Sequence, residues 1–208
     1  MTDRVQITIK DPNAVSPRVT ISTNQGDIVV ELNEEKAPIT VRNFLRYVDD
    51  GFYDGTIFHR VVENFVIQGG GFTPELVEKD TRNPIALEAN NGLHNERGTI
   101  AMARTGEPNS ATSQFFINLK NNVKDGDGLA NLDPGGVDEN GYAVFGKVVS
   151  GMTVVDQIAG VETHSESGFD DVPVEDIIIT GIRRVQGAPT GGASDPTSET
   201  NGIKGDTQ

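Results

Sequence analysis

Cysteine is absent from this chain of 208 residues. Disulfide bonds and thiol chemistry are therefore excluded, and a zinc ion would have to be held by histidines and carboxylates. The three histidines, His59, His94 and His164, are scattered without the spacing of metal ligands. We expect neither a metal ion nor any other cofactor.

Positive charge is scarce. The chain has 17 lysines and arginines against 31 aspartates and glutamates, a formal net charge of −14. Such a chain repels phosphate backbones and anionic lipid headgroups, so we expect no nucleic-acid or membrane partner. No apolar run approaches the roughly 20 residues of a membrane span, and the first residues lack the apolar core of a secretion signal. We expect a soluble, cytoplasmic protein.

The chain does contain a series of short segments typical of β-strands. Its length is that of one domain, which can bury roughly 70% of the surface exposed by the unfolded chain. Two alternating segments around an Asn-Gln-Gly turn predict a hairpin over residues 19–32. Apolar residues at helical spacing predict helices over 38–50 and 152–159. Further strands are predicted at residues 56–60, 65–68, 99–103, 115–119, 143–149 and 177–183. Many short strands with two helices favour an all-β barrel, because closure removes exposed edges.

Three segments stand apart from the domain predicted at residues 18–186. Residues 1–17 are expected to form a loose N-terminal extension, with an added surface strand as the alternative. Residues 187–208 are too polar to offset their ordering entropy, so a disordered tail is expected. Residues 120–141 form a long connection rich in glycine and aspartate, and ordered loops of this length are usually functional. Calcium binding there is the weaker interpretation, because the loop lacks the pattern of an EF-hand; a solvated acidic loop is preferred.

The most informative stretch is FHRVVENFVIQGGG at residues 58–71. It spaces Arg60, Phe65 and Gln68 along an alternating pattern and ends in glycines that would let a peptide backbone approach. The sequences AMAR at 101–104 and SQFFIN at 113–118 accompany it. Together they describe a groove for an extended polypeptide. The glycines do not indicate a phosphate loop, because no Lys-Ser/Thr follows them.

These motifs resemble the signatures of the cyclophilins, the peptidyl-prolyl cis/trans isomerases that bind cyclosporin. The resemblance runs from about residue 19 to about residue 184. Within the family, EANNGL at 88–93, RGTIAMART at 97–105 and SATSQFF at 110–116 are similar to the bacterial branch. The resemblance implies a closed eight-stranded antiparallel barrel capped by two α-helices. It also implies a monomeric isomerase that assists folding by acting on proline-containing polypeptides and on unfolded or partly folded proteins.

The resemblance further implies which residues form the site. The catalytic set would be Arg60, Phe65 and Gln68. The substrate-binding set would be Val66, Ala103, Arg104, Gln114, Phe116, Leu132 and Tyr142. Phe115 and Phe116 are neighbours on a strand and face opposite sides, so Phe115 is expected in the core.

The chemistry of amide rotation supports a role for Arg60. The uncatalysed barrier is about 18–20 kcal/mol, and no bond breaks. As the amide twists, the proline nitrogen regains a lone pair, so a fixed cation aimed at that nitrogen favours the twisted state. Rotation transfers no proton, so His59 is expected to be a structural hydrogen-bonding partner. The alternative is a catalytically weak module that binds proline peptides or acts as a chaperone; the presence of Arg60 favours the enzyme.

One position departs from the family pattern. Asn131 falls near the place where other members carry tryptophan or phenylalanine at the rim of the proline pocket. The aromatic rim would then be incomplete, and cyclosporin is expected to bind with weakened affinity.

Overall fold

The described part of the chain, residues 16–185 of a computed structural model, begins with the predicted hairpin. Strand β1 (Arg18–Thr23) pairs antiparallel with β2 (Gly26–Leu32) without a break in register. Gly26 closes the turn with φ of 132°, a value that favours glycine. The predicted segments 1–17 and 187–208 lie outside the described residues, except for positions 16 and 17.

The other elements follow largely in the predicted order, with ends shifted by at most one residue. The single strand predicted at 56–60 was wrong: it ends at Ile57, and a separate strand begins at Arg60. The helices are α1 (Pro38–Asp49) and α2 (Met152–Ala159). The remaining strands are β3 (Thr56–Ile57), β4 (Arg60–Val62), β5 (Val66–Gly69), β6 (Thr99–Met102), β7 (Phe115–Asn118), β8 (Val144–Ser150), β9 (Thr163–Glu166), β10 (Phe169–Pro173) and β11 (Ile178–Arg184). Within residues 16–185, no helix has the length and apolarity needed to cross a membrane.

The prediction of a closed eight-stranded barrel was wrong. The main sheet has nine strands in the order β3-β11-β1-β2-β8-β6-β7-β5-β4 and curls into a half-barrel. Its two end strands, β3 and β4, are separated in the chain by Phe58 and His59, and no ladder joins them across the seam that they form. Beside this seam, Ile57 N donates to Phe72 O at 3.0 Å, and Gly70 N donates to Ile57 O at 3.2 Å, which joins β3 to the segment after β5.

A second, two-stranded sheet was not predicted. Strands β9 and β10 form a hairpin whose residues are largely exposed and polar, so it lacks the apolar alternation of a strand. Phe169 anchors the hairpin, with its ring 5.2 Å from that of Phe72.

Helix α1 closes one side of the core. Its buried face includes Val41, Phe44 and Leu45, and the Phe44 ring contacts the rings of Tyr53, Phe115 and Phe145 at centroid distances of 5.3, 5.7 and 5.2 Å. Phe115 is fully buried, as predicted.

The first turn of α1 is capped from a distance. The Glu88 carboxylate accepts the backbone N–H groups of Ile39 and Thr40 at 3.1 and 2.8 Å. It accepts hydrogen bonds from N–H groups that have no partner within the helix, and its negative charge is favourable at the positive end of the helix dipole.

Candidate active site

Cross-strand pairing brings the predicted site residues onto one face of the sheet. Arg60 on β4 lies opposite Gln68 on β5, and Gln68 lies opposite Phe116 on β7. Directly opposed residues of antiparallel strands project from the same face. Phe116 points away from the main core into a second apolar cluster with Val66 and Leu132.

This second cluster forms the floor of an open cavity of about 220 Å³. Every residue of the predicted catalytic and substrate-binding sets except Gln114 lines it: Arg60, Phe65, Val66, Gln68, Ala103, Arg104, Phe116, Leu132 and Tyr142. Gln114 lines an adjoining cavity of about 470 Å³, which shares Arg60 and Gln68 with the first. The structure therefore brings the whole predicted set together in one continuous groove.

A chain of polar side chains runs along the groove. Arg60 Nη1 donates to Gln68 Oε1 at 3.4 Å, and Gln68 Nε2 donates to Gln114 Oε1 at 3.1 Å. The Arg60 side chain is 39% exposed. It is therefore held by its neighbour yet can present N–H groups to a bound peptide.

Arg104 has a different environment. Its side chain is 1% exposed, donates to the Gly141 carbonyl from Nε at 3.0 Å and Nη2 at 2.8 Å, and pairs with the Asp138 carboxylate at 2.5 Å. The guanidinium also lies 4.7 Å from the centroid of the Tyr142 ring. This pairing, together with the Asn140 N–H, lowers the pKa of Asp138. The Arg104 side chain thus fastens the end of the 120–141 loop beside the pocket, and Tyr142 faces Phe116 at 5.6 Å.

The glycines at the end of β5 and just after it leave space that neighbouring groups of the protein occupy. A Cβ on Gly69 would lie 2.6 Å from the Ile57 carbonyl oxygen, and one on Gly71 would lie 2.5 Å from Cγ of Gln114. The sequence-based interpretation, in which these glycines admit a substrate backbone, is therefore unnecessary. Their absent side chains allow the seam and Gln114 to pack closely.

His59 is buried beside the groove. Burial, aided by the adjacent Arg60 cation, lowers the pKa of His59 to about 4. The ring packs against Phe72 at a centroid distance of 4.6 Å, and Nδ1 has no hydrogen-bond partner among the described residues. The expected structural hydrogen bond was wrong: His59 is a neutral packing residue at neutral pH.

Asp171 was missed by the sequence interpretation. Its carboxylate lies 3.8 Å from Nε of Arg60, and its backbone has φ of 60°, an uncommon value outside glycine. It belongs to the β9–β10 hairpin, whose Phe169 and Gly168 line the larger cavity. The only local signal was the Ser167-Gly168 turn between two short polar segments.

The acidic loop shows no cation site. Within residues 16–185, no group of three or more histidine, aspartate or glutamate side chains is placed to hold a metal ion. Loop carboxylates are used internally: Asp127 accepts the Asn121 N–H at 3.0 Å, and Asp133 accepts the Asn95 N–H at 2.9 Å. Asn131 does not line the pocket; its Oδ1 accepts the Asp133 N–H at 3.0 Å.

Comparison with known proteins gives a consistent result. Residues 18–184 match the family described as "Cyclophilin type peptidyl-prolyl cis-trans isomerase/CLD". The chain is 54% identical over 165 residues to peptidyl-prolyl cis-trans isomerase cyp18 of Streptomyces antibioticus, covering 79% of this chain and 96% of the relative. It is also 54% identical over 164 residues to peptidyl-prolyl cis-trans isomerase B of Escherichia coli (strain K12), covering 79% and 97%.

Among solved structures, a cyclophilin type isomerase of Cryptosporidium parvum superposes with a TM-score of 0.68 at 29% identity, covering 83% of this chain and 99% of that one. The same protein in the presence of the dipeptide Ala-Pro gives a TM-score of 0.67, also at 29% identity, covering 82% of this chain and 99% of that one. The chain therefore belongs to the cyclophilin family of peptidyl-prolyl cis/trans isomerases, and its named bacterial relatives make it an enzyme of that class.

Proposed function

We propose that this cyclophilin turns Xaa-Pro amides in the groove between Arg60 and the apolar cluster, with Arg60, Phe65 and Gln68 as the catalytic set. The observation that carries the proposal is the placement of a half-exposed arginine at the edge of an apolar pocket. Its substrates are proline-containing polypeptides, including unfolded or partly folded proteins.

The proline ring would enter the cavity of about 220 Å³. Phe65, Val66, Phe116, Leu132 and Tyr142 provide its apolar walls. Removing water from the amide weakens hydration of its charge-separated planar form, so the pocket favours the twisted state.

Arg60 would stabilise the twisted amide directly. A hydrogen bond to a charged group contributes roughly 1.5–3 kcal/mol, and each factor of ten in rate requires about 1.36 kcal/mol. Arg60 alone then accounts for one or two factors of ten. The pocket and the restraint of the flanking peptide must supply the rest.

The segment on one side of the proline must be held while the other turns. Gln68 and Gln114 offer amide groups along the groove, and their mutual hydrogen bond limits their motion. Because the Arg104 side chain is committed to the Asp138 loop, its contribution and that of Ala103 would come from backbone groups at the end of β6. We propose that these groups pair with the extended substrate.

Arg60 also separates the enzyme from the alternative kept in the sequence analysis, a catalytically weak binding module. Arg60→Ala should lower kcat/KM by at least about tenfold, the loss expected from one charge-assisted hydrogen bond. A proline peptide should still bind measurably, because the apolar pocket is unchanged. Arg183→Ala is the matched control, since it removes an arginine that is paired with Asp54 and lines neither cavity of the groove.

The test is a protease-coupled isomerisation assay on Xaa-Pro peptides, with circular dichroism to confirm folding. Near-wild-type turnover by a folded Arg60→Ala variant would contradict the assigned mechanism, whereas negligible turnover by the wild type would support a role in binding alone. The chain itself supplies every residue of the groove, which supports action as a monomer. The cytoplasmic location stays a prediction.

A further inference from the structure

A second groove lies along helix α1, and arginines dominate it. Arg42 and Arg46 project from α1, and Arg82 comes from the loop that runs beside the helix. The groove has a volume of about 370 Å³, and Ile39, Pro84 and Ile85 supply its apolar lining. We call it the arginine groove.

Two arginines of this groove have no ion-pair partner among residues 16–185. Every other arginine in residues 16–185 contacts a carboxylate: Arg18, Arg60, Arg82, Arg97, Arg104, Arg183 and Arg184. Within that same range, neither Arg42 nor Arg46 contacts one, although the whole chain carries 31 acidic residues against 17 basic ones. In residues 16–185 of this acidic protein, the two arginines without an ion pair thus lie side by side on one helix.

The fold gives little reason for this arrangement. Residues four apart on a helix are surface neighbours, and like charges there are mildly destabilising. Arg46 lies in the last turn of α1, where a cation suits the helix dipole. Arg42 lies in the middle of the helix and gains nothing from the dipole. Both side chains are exposed, so neither is needed to fill the core.

We infer that the arginine groove binds an acidic segment of a partner polypeptide. Guanidinium groups match carboxylates in geometry, and two adjacent forks suit two carboxylates on an extended chain. Ile39, which is 42% exposed, and the neighbouring Pro84 offer apolar contact to side chains between those carboxylates. A nucleic acid is a poorer occupant, because its dense charge is repelled by the rest of this acidic surface.

The groove is separate from the isomerase site. No residue that lines it lines either cavity of the site. One hydrogen bond connects the two regions, in which Asn43 Nδ2 donates to the Thr112 carbonyl at 2.6 Å, two residues before Gln114. The inference therefore does not depend on the proposed mechanism at Arg60.

The test uses a fluorescein-labelled peptide that contains alternating glutamate and leucine and no proline. Fluorescence anisotropy should show binding to the full chain that weakens as salt is raised from 20 to 200 mM. The double variant Arg42→Glu/Arg46→Glu should lose affinity by at least about tenfold. The double variant Lys124→Glu/Lys147→Glu, which changes net charge equally at distant exposed positions, should bind as the wild type does. Isomerase kcat/KM on a short Xaa-Pro peptide should be unchanged in both.

Several results would overturn the inference. Absence of binding would do so, as would an equal loss in the lysine control, which would indicate net charge alone. Equal or tighter binding of a single-stranded oligonucleotide would identify a general anion site, and salt-sensitive self-association in sedimentation would identify a second copy of the chain as the occupant. The milder variant Arg42→Gln is measured for both peptide affinity and melting temperature. Weaker binding at an unchanged melting temperature would show that the loss does not come from unfolding.

Discussion

Gly71→Ala tests whether Gln114 must occupy its observed position for catalysis. A Cβ on Gly71 would lie 2.5 Å from Cγ of Gln114 and 2.8 Å from its Cδ and Nε2. Carbon atoms in contact are separated by about 3.5–4.0 Å. The Gln114 side chain must therefore move by about 1 Å, although no residue that touches the substrate has been replaced.

The expected size of the effect follows from the hydrogen bond that this movement breaks. Gln68 Nε2 donates to Gln114 Oε1 at 3.1 Å, and a neutral hydrogen bond contributes about 0.5–1.5 kcal/mol. At about 1.36 kcal/mol for each factor of ten, kcat/KM should fall by about two- to tenfold. The melting temperature should fall by no more than about 4 °C, the shift that 1 kcal/mol produces in a domain of this size.

A double-mutant cycle with Gln114→Ala makes this prediction sharp. If the alanine acts by displacing Gln114, adding Gly71→Ala to Gln114→Ala should change kcat/KM little. Gly106→Ala is the matched control, because its Cβ would meet nothing within 4 Å. An equal loss in the Gln114→Ala background would show that Gly71 acts by another route, and unchanged activity in the single variant would refute the reasoning.

Three further outcomes are expected. With the pKa of His59 lowered to about 4, kcat/KM should be nearly flat between pH 6 and 8, and a limb near pH 6.5 would contradict this. Since histidine in the unfolded chain titrates near 6.5, acidification from 6.5 to 4 should lower the free energy of unfolding by roughly 3 kcal/mol more in the wild type than in His59→Gln, measured by urea titration. Asp171→Asn keeps a residue that accepts the left-handed backbone but removes the charge beside Arg60, so kcat/KM should fall by about two- to fivefold. The control is Asp170→Asn, which replaces a carboxylate that accepts a hydrogen bond from a serine and should leave kcat/KM unchanged. Equal kcat/KM values in the two variants would contradict a role for Asp171.

Local pattern predicted most of the main sheet because its strands carry their own signal. Ile28, Val30 and Leu32 alternate in sequence and are fully buried in β2. The β9–β10 hairpin has no such alternation. It depends on the contact of Phe169 with Phe72, which is far away in the chain. Its absence from the prediction therefore reflects a tertiary contact that overrides a weak local preference.

The site shows the same division. The spacing of Arg60 and Gln68 was readable because the two residues face each other across one tight hairpin. The burial of Arg104 was not readable, since its partners Asp138 and Gly141 come from a long loop without regular strands. Which carboxylate meets which arginine is decided by how distant segments fold together, and a motif does not contain that information.

The open seam of the sheet has a consequence for how the enzyme moves. Arg60 sits on a strand of three residues that has a ladder partner on one side only, and no backbone hydrogen bond joins that strand to β3. Segments with so few backbone restraints open locally at a small fraction of the free energy needed to unfold a whole domain. We therefore expect the strand that carries the arginine to shift by fractions of an ångström while the sheet beneath Phe115 stays fixed. That compliance would suit the mechanism proposed for Arg60, in which the cation follows the proline nitrogen as the amide rotates between its two planar forms.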